Sequence, residues 1–288
     1  MGMGTPLPRT LIEAVSYFAD PDNCREYLVA RRWPNGVTCP TCGSSSVYFD
    51  RSRNGWECKT RHPQRKFTLK TGTIFEDSPL PLSKWLPAVW MIANMKNGVS
   101  SWELHRAIGV TQTTAWFMLQ RIRLAMQDTD TGGKLSGHIE VDETFIGGKA
   151  RNMHKARRER AIKGTQGKVR ENIRRTAHVY TDELLSYEGL DSDYTHKVIN
   201  HAEKYVDGQI HTNGCENFWS LLKRALKGTY ISVQPFHLFR YLDEQAFRFN
   251  NRREMNDADR FSEVVRNIVG RRLTYKELIA AINATSPA

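Results

Sequence analysis

Apolar residues recur at helical spacing in several stretches of this chain and alternate in a few short ones. Thr10 opens one short helix. Asp20-Pro21 gives the next a cap followed by proline at the first helical position, so residues 10–32 read as two helices. Cys24 sits beside Leu28 on the second and is expected to be packing. Val47-Tyr-Phe and Gly55-Trp-Glu read as the strands of a hairpin that residues 66–78 continue. A helical region starts at Asp77 or Ser78, carries Trp85, Val89, Trp90, Ile92 and Ala93 on one face, and ends near Asn97-Gly98.

Ser100 to Ile108 predicts a helix, Gly109 a turn, and Thr111 caps a second helix running to Met126. Helix, glycine turn and helix is the plan of a helix-turn-helix, in which Gln112, Thr113, Gln120, Arg121 and Arg123 would face DNA. The alternative is plain three-helix packing. Residues 128–133 (DTDTGG) make a polar linker.

Beyond the linker, acids interrupt apolar runs. Ile139, Val141 and Phe145 outline a strand carrying Asp142, and Val179-Tyr-Thr-Asp182 is a short strand ending in acid. A short helix at 183–190 and a strand at 197–201 follow. His211-Thr-Asn-Gly opens a helix with Phe218, Leu221, Leu222 and Leu226 at helical spacing, and Glu216, Ser220 and Lys223 share one of its faces. Carboxylates from two strands and a helix suit a hard divalent cation such as Mg²⁺ or Mn²⁺, and a nearby lysine suits a phosphate. Alternatively, Asp142 and Asp182 cap a strand or start a turn. Of His196, His201 and His211, the last adjoins the Glu216 helix and is the best candidate for a site role. Pro235 starts a helix with Phe236, Phe239, Leu242, Ala246 and Phe249 as its expected core face, and Thr274-Tyr-Lys-Glu277 is a capping box opening the last helix.

Five cysteines make an odd count, with three of them clustered. Cys39-Pro-Thr-Cys42 is a C-x2-C knuckle, and Cys58 and His62 follow at C-x3-H. That set fits a closed, structural Zn²⁺ site better than a disulfide framework. The chain carries a net charge of +11, and residues 149–175 hold 11 Lys or Arg against two Glu. Lys155, Arg157, Arg158 and Arg160 in that tract could line a DNA backbone, or the tract is a solvated loop. No basic region followed by an apolar run opens the chain, and the longest apolar stretch, Trp85 to Met95, is too short to span a membrane. A cytoplasmic, nucleoid-associated protein of a reducing compartment is expected, with no membrane partner.

The segments VDETFIGGKARNMHK, VYTDE, VINHAEKYVDGQIHTNG, CENFWSLLKR and HLFRYLDEQAFRFNNR resemble the ISXO-like bacterial insertion-sequence transposases. The resemblance implies a metal-dependent DDE enzyme with an N-terminal zinc ribbon and an RNase H-like catalytic domain. It puts the catalytic role on Asp142, Asp182 and Glu216 as Mg²⁺ ligands and Lys223 as the accessory basic residue, with Asn213 or Asn217 as rivals of Glu216. It implies double-stranded DNA as partner, at both transposon ends and target, and joining two ends calls for a homo-oligomer. The expected fold is α+β and multidomain: N-terminal helices and zinc ribbon at 1–75, a helical DNA-binding module at 76–132, an internally shortened RNase H-like α/β domain at 133–256, and C-terminal helices at 257–288. The shortening is read from the interval between Asp142 and Asp182, where the basic tract replaces about two strands and a helix. Such a loss would give the first strand an open edge and could separate the two acids. The expected function is strand cleavage and strand transfer in DNA transposition. The alternative is a catalytically inactive relic or a zinc-ribbon DNA-binding protein.

Overall fold

The computed structural model describes residues 7–128, 134–142, 144, 146, 168–182, 190–199 and 213–284. Backbone contacts divide the chain into two units, Met1–Gln127 with Ala225–Ala288, and Asp128–Arg224. The sequence reading divides it instead at 133 and 256. Contacts place the chain from Ala225 onward with the N-terminal helices, because its buried side chains lie in their core.

The first unit begins with α1 (Leu11–Phe18) and α2 (Pro21–Arg32). A capping box between Thr10 and Glu13 starts α1, while Asp20 caps α2 with proline following it. Cys24 is buried in α2, its thiol donating to the Phe18 carbonyl at 3.1 Å, a packing role as expected. The ribbon is an antiparallel sheet, β1 (Val47–Asp50), β2 (Gly55–Cys58) and β3 (Lys66–Phe67) in that order. Its core is aromatic: Trp56 stacks on Phe67 and meets Trp33 and Phe49. Gly55 allows this turn, since a Cβ there would come within 2.9 Å of the Phe67 carbonyl.

Next come α3 (Leu82–Asn94), α4 (Ser101–Ile108) and α5 (Gln112–Met126). Ser100 and Glu103 form a capping box, Gly109 ends α4 in the left-handed region (φ 62°), and Thr111 caps α5, so helix, glycine turn and helix form where the sequence places them. After the second unit, α7 (Leu238–Asn250), α8 (Asp257–Arg266) and α9 (Tyr275–Ala284) complete the helices. Phe261 of α8 packs on Phe18, Tyr27 and Trp90, joining the two ends of the chain in one core.

One expectation about α5 and one about α7 are corrected. Arg121 and Arg123 do not face DNA; they are 4% and 1% exposed, and Gln120 is buried with them. Arg121 donates to the carbonyls of Leu273, Ile74 and Glu76. Arg123 donates to Glu244 at 2.6 Å and lies over the Tyr241 ring. Glu244, 0% exposed, also accepts from Arg248 and the Tyr230 hydroxyl. Gly98 (φ 78°) makes room for this cluster, because a Cβ there would collide with Tyr230 and Glu244. The inner face of α7 is therefore Tyr241, Glu244, Gln245, Phe247 and Arg248, and Phe239, expected inside, is exposed.

The second unit holds a three-stranded parallel sheet, β4 (His138–Glu140), β5 (His178–Asp182) and β6 (Thr195–Ile199), in the order β4-β5-β6. Ile139 and Val141 pack on a core of Val169, Ile173, Ala177, Val179, Leu190 and Tyr194. Strand alternation then turns His138 and Glu140 to the other face, where His138 stacks on His178 and meets the Tyr180 hydroxyl at 2.5 Å. Among the described residues no strand pairs with the outer edge of β4. The unit closes with α6 (Asn213–Ala225).

Candidate functional site

The ribbon brings its four candidate ligands together. The donor atoms of Cys39, Cys42, Cys58 and His62 all lie within 4.8 Å of one another, and among the described residues this is the one such cluster of three or more. Cys42 and Cys58 sulfurs are 3.7 Å apart, and His62 Nε2 is 3.4 Å from the Cys39 sulfur. A zinc tetrahedron with Zn–S bonds of about 2.3 Å has S–S edges of about 3.8 Å, so the donor set fits the ion. Burial pushes the Cys39 thiol up, but the backbone N–H groups of Cys42 and Thr41 and the neighbouring thiols outweigh it and bring Cys39 down to about 7. The shift favours the thiolate, the form a metal takes. The second half-site uses His62 where a ribbon of four cysteines would have a thiol.

The second unit places the acids at the carboxyl ends of its parallel strands. The register pairs His138 with His178 and Glu140 with Tyr180, an offset of 40. The Val141 N–H donates to the Tyr180 carbonyl at 2.8 Å, a bond that belongs to the Glu140–Tyr180 pair. The recorded pairing ends at Glu140 and Tyr180, two residues before Asp142 and Asp182. The short interval thus does not separate the two strands. The side chain of Asp182 lies outside the described residues.

Glu216 stands in the first turn of α6, and Ser220 and Lys223 are exposed with it along the helix. The helix is tied to the strand by a residue that the sequence reading gives no role. Glu140 Oε2 accepts from the backbone N–H of Gly214 at 3.0 Å and of Cys215 at 3.3 Å. The Cys215 thiol sits among the acids: burial, then the charges of Glu140, Asp142 and Glu216, push it up to about 12. A signal for Glu140 was present, since it precedes Asp142 by two residues and so shares its face of the strand. Asn213, the rival ligand, begins α6, and Asn217 follows Glu216; both are exposed.

His196 is held between Asp191 (2.6 Å) and the Thr181 hydroxyl (2.8 Å), a structural place. Lys155, Arg157, Arg158 and Arg160, like His201 and His211, lie outside the described residues. From the end of the basic tract, Arg170 and Arg175 pair with Asp193. Among the described residues no helix is long and apolar enough to cross a membrane.

Comparison with known proteins matches two stretches of the chain. The ISXO2-like transposase domain matches residues 163–250, which include Asp182, Glu216 and Lys223 but begin after Asp142. The transposase zinc-ribbon domain matches residues 19–60, which include the three cysteines. The chain is 27% identical over 256 residues to an uncharacterized protein in transposable element ISH50 of Halobacterium salinarum, covering 74% of this chain and 85% of that protein. It is 37% identical over 84 residues to an uncharacterized transposase-like protein of Haemophilus influenzae, covering 29% of this chain and 68% of that one. No solved structure matches. With a zinc ribbon and a transposase domain in one chain, this protein belongs to the ISXO2-like transposase family.

Proposed function

We propose that the protein is a DDE transposase that cuts DNA at the ends of its element and joins them to a target. The observation that supports this reading is the pairing of β4 with β5, the strands that lead to Asp142 and Asp182, while Glu140 ties the Glu216 helix to the end of β4. Asp142, Asp182 and Glu216 offer oxygen donors only, a set that suits Mg²⁺ or Mn²⁺. Bound there, the ions would activate an attacking hydroxyl and stabilise the leaving oxygen. The residues themselves hold and orient: the carboxylates fix the ligand positions, and Lys223, two turns along α6, meets a DNA phosphate as a point charge. An RNase H-like arrangement, shortened between the first two acids, is the fold this reading assigns to the second unit.

In this reading the zinc ribbon and helix-turn-helix bind the element ends. With Arg121 and Arg123 committed to the interior, DNA would meet the exposed start of α5 at Thr113 and the exposed Arg106 of α4. Lys155, Arg157, Arg158 and Arg160 would hold the backbone, and two or more copies would join two ends.

The test is cleavage and joining of duplexes carrying the sequence that flanks the gene, in Mg²⁺ or Mn²⁺, beside Asp142→Ala. Joining that the mutant lacks is the expected result. Activity surviving in Glu216→Ala would move the third ligand to Asn213 or Asn217. One observation favours a second reading, a DNA-binding relic: the transposase-domain match begins only at residue 163, after Asp142. Retarded duplex without cleavage would establish it.

A further inference from the structure

Glu140 is an acid in the candidate site whose visible work is done on the backbone. Its Oε2 bridges the N–H groups of Gly214 and Cys215, two of the donors that the start of a helix leaves without intrahelical partners. A carboxylate there also meets the positive end of the helix dipole. A third link is the Cys215 thiol, 3.6 Å from the Glu140 carbonyl. Glycine at 214 permits the approach, since a Cβ would stand 2.8 Å from Oε2. The strand end is held in its turn, because Ile139 and Val141 are packed into the core of the unit on either side of Glu140.

We propose that Glu140 is a positioning residue, whose carboxylate fastens the first turn of α6 to the end of β4 and so sets Glu216 beside Asp142. Resting on the metal-binding reading above, it adds a clamp that the three acids need. Its carboxylate bridges a strand and a helix that are 74 residues apart along the chain at the bond itself. The amide oxygen of a glutamine can accept the same two bonds, whereas a metal ligand would lose its charge. Glu140→Gln therefore separates positioning from ligation.

The experiment uses the full chain and two readouts. Mn²⁺ affinity is measured by titration, and hydrogen exchange over the first turn of α6 is measured in metal-free protein. Glu140→Ala is expected to weaken Mn²⁺ binding about tenfold, the usual scale for a partner that orients ligands, and to speed exchange at Gly214 and Cys215. Glu140→Gln is expected to retain both properties. Wild-type affinity and exchange in Glu140→Ala would overturn the proposal, as would Glu140→Gln binding Mn²⁺ as poorly as Glu140→Ala. Should Glu140→Ala fail to fold, Gly214→Ala presses on the same contact from the helix side and is expected to give the same two changes; wild-type behaviour there overturns the clamp. Asp142→Ala is the control for the underlying reading. Unchanged Mn²⁺ affinity in that variant would remove the metal site, while the exchange measurement would still decide whether Glu140 fastens the helix.

Discussion

Glu244 accepts from two guanidinium groups and a phenol in a place without solvent. Burial alone would raise its carboxyl, but Arg248 and Arg123 outweigh burial and hold it below the ordinary glutamate range. Removing one partner of such a buried group leaves the others uncompensated, so Glu244→Ala is expected to destabilise the helical unit by about 3–5 kcal/mol, read by urea unfolding. The sign of the pH effect follows from the lowered carboxyl. The contribution is complete above the unfolded glutamate value and is lost as pH falls through the lower folded one. Unfolding followed from pH 6 down to pH 3 should show this loss in the wild type and a shallower slope in Glu244→Gln. The same cluster takes Arg123 inside, while three backbone carbonyls take Arg121. Arg121 and Arg123 follow the turn of a helix-turn-helix, where basic residues invite DNA, and nothing local in the sequence announces a glutamate 121 residues later. Cys24, by contrast, was legible, because a lone cysteine beside Leu28 has no chemistry to do but pack.

At the scale of elements, caps carried the information. Thr10, Asp20, Ser100 and Thr111 each start a helix where the sequence put one, because their side chains satisfy donors that the helix cannot. The inner face of α7 was not legible, because apolar periodicity points to Phe239 while the partners waiting inside are charged. The pairing of β4 with β5 was equally hidden, since the register depends on what two distant segments bury together rather than on the interval between them. The ribbon was plain from thiol spacing. Its three short strands carry a small aromatic core, and the ion would supply the rest of their stability. Chelation is therefore expected to unfold β1–β3, seen as a change in tryptophan fluorescence from Trp33 and Trp56, and zinc to reverse it. Substituting Co²⁺ should give a spectrum of three thiolates and one nitrogen, and His62→Cys should convert it to that of four thiolates.

For the molecule as a whole, the net charge of +11 and the basic tract make salt the sensitive variable. Duplex binding is expected to fall steeply between 50 and 200 mM salt, as counterion release requires. Replacing Lys155, Arg157, Arg158 and Arg160 together with alanine should weaken binding to all sequences alike and flatten the salt slope, measured by fluorescence anisotropy; an unchanged slope would return the tract to the status of a solvated loop.

The division of the core bears on how such a protein decays. Every side chain of the larger buried cluster comes from before residue 128 or after residue 224, and every one of the smaller cluster from between them. The segment 128–224 is thus a guest within a host whose core is continuous in space but not in sequence. In-frame loss inside the guest leaves the host its whole interior, so a chain with 128–224 replaced by a short glycine-serine linker is expected to fold, with cooperative melting as the check. Genetically, an ageing copy of the element need not fall silent. Under the proposed division of labour its product would still occupy element ends while moving none, so expressing the guestless chain beside an intact copy should lower transposition frequency: the wreck of one copy would act as a brake on its siblings.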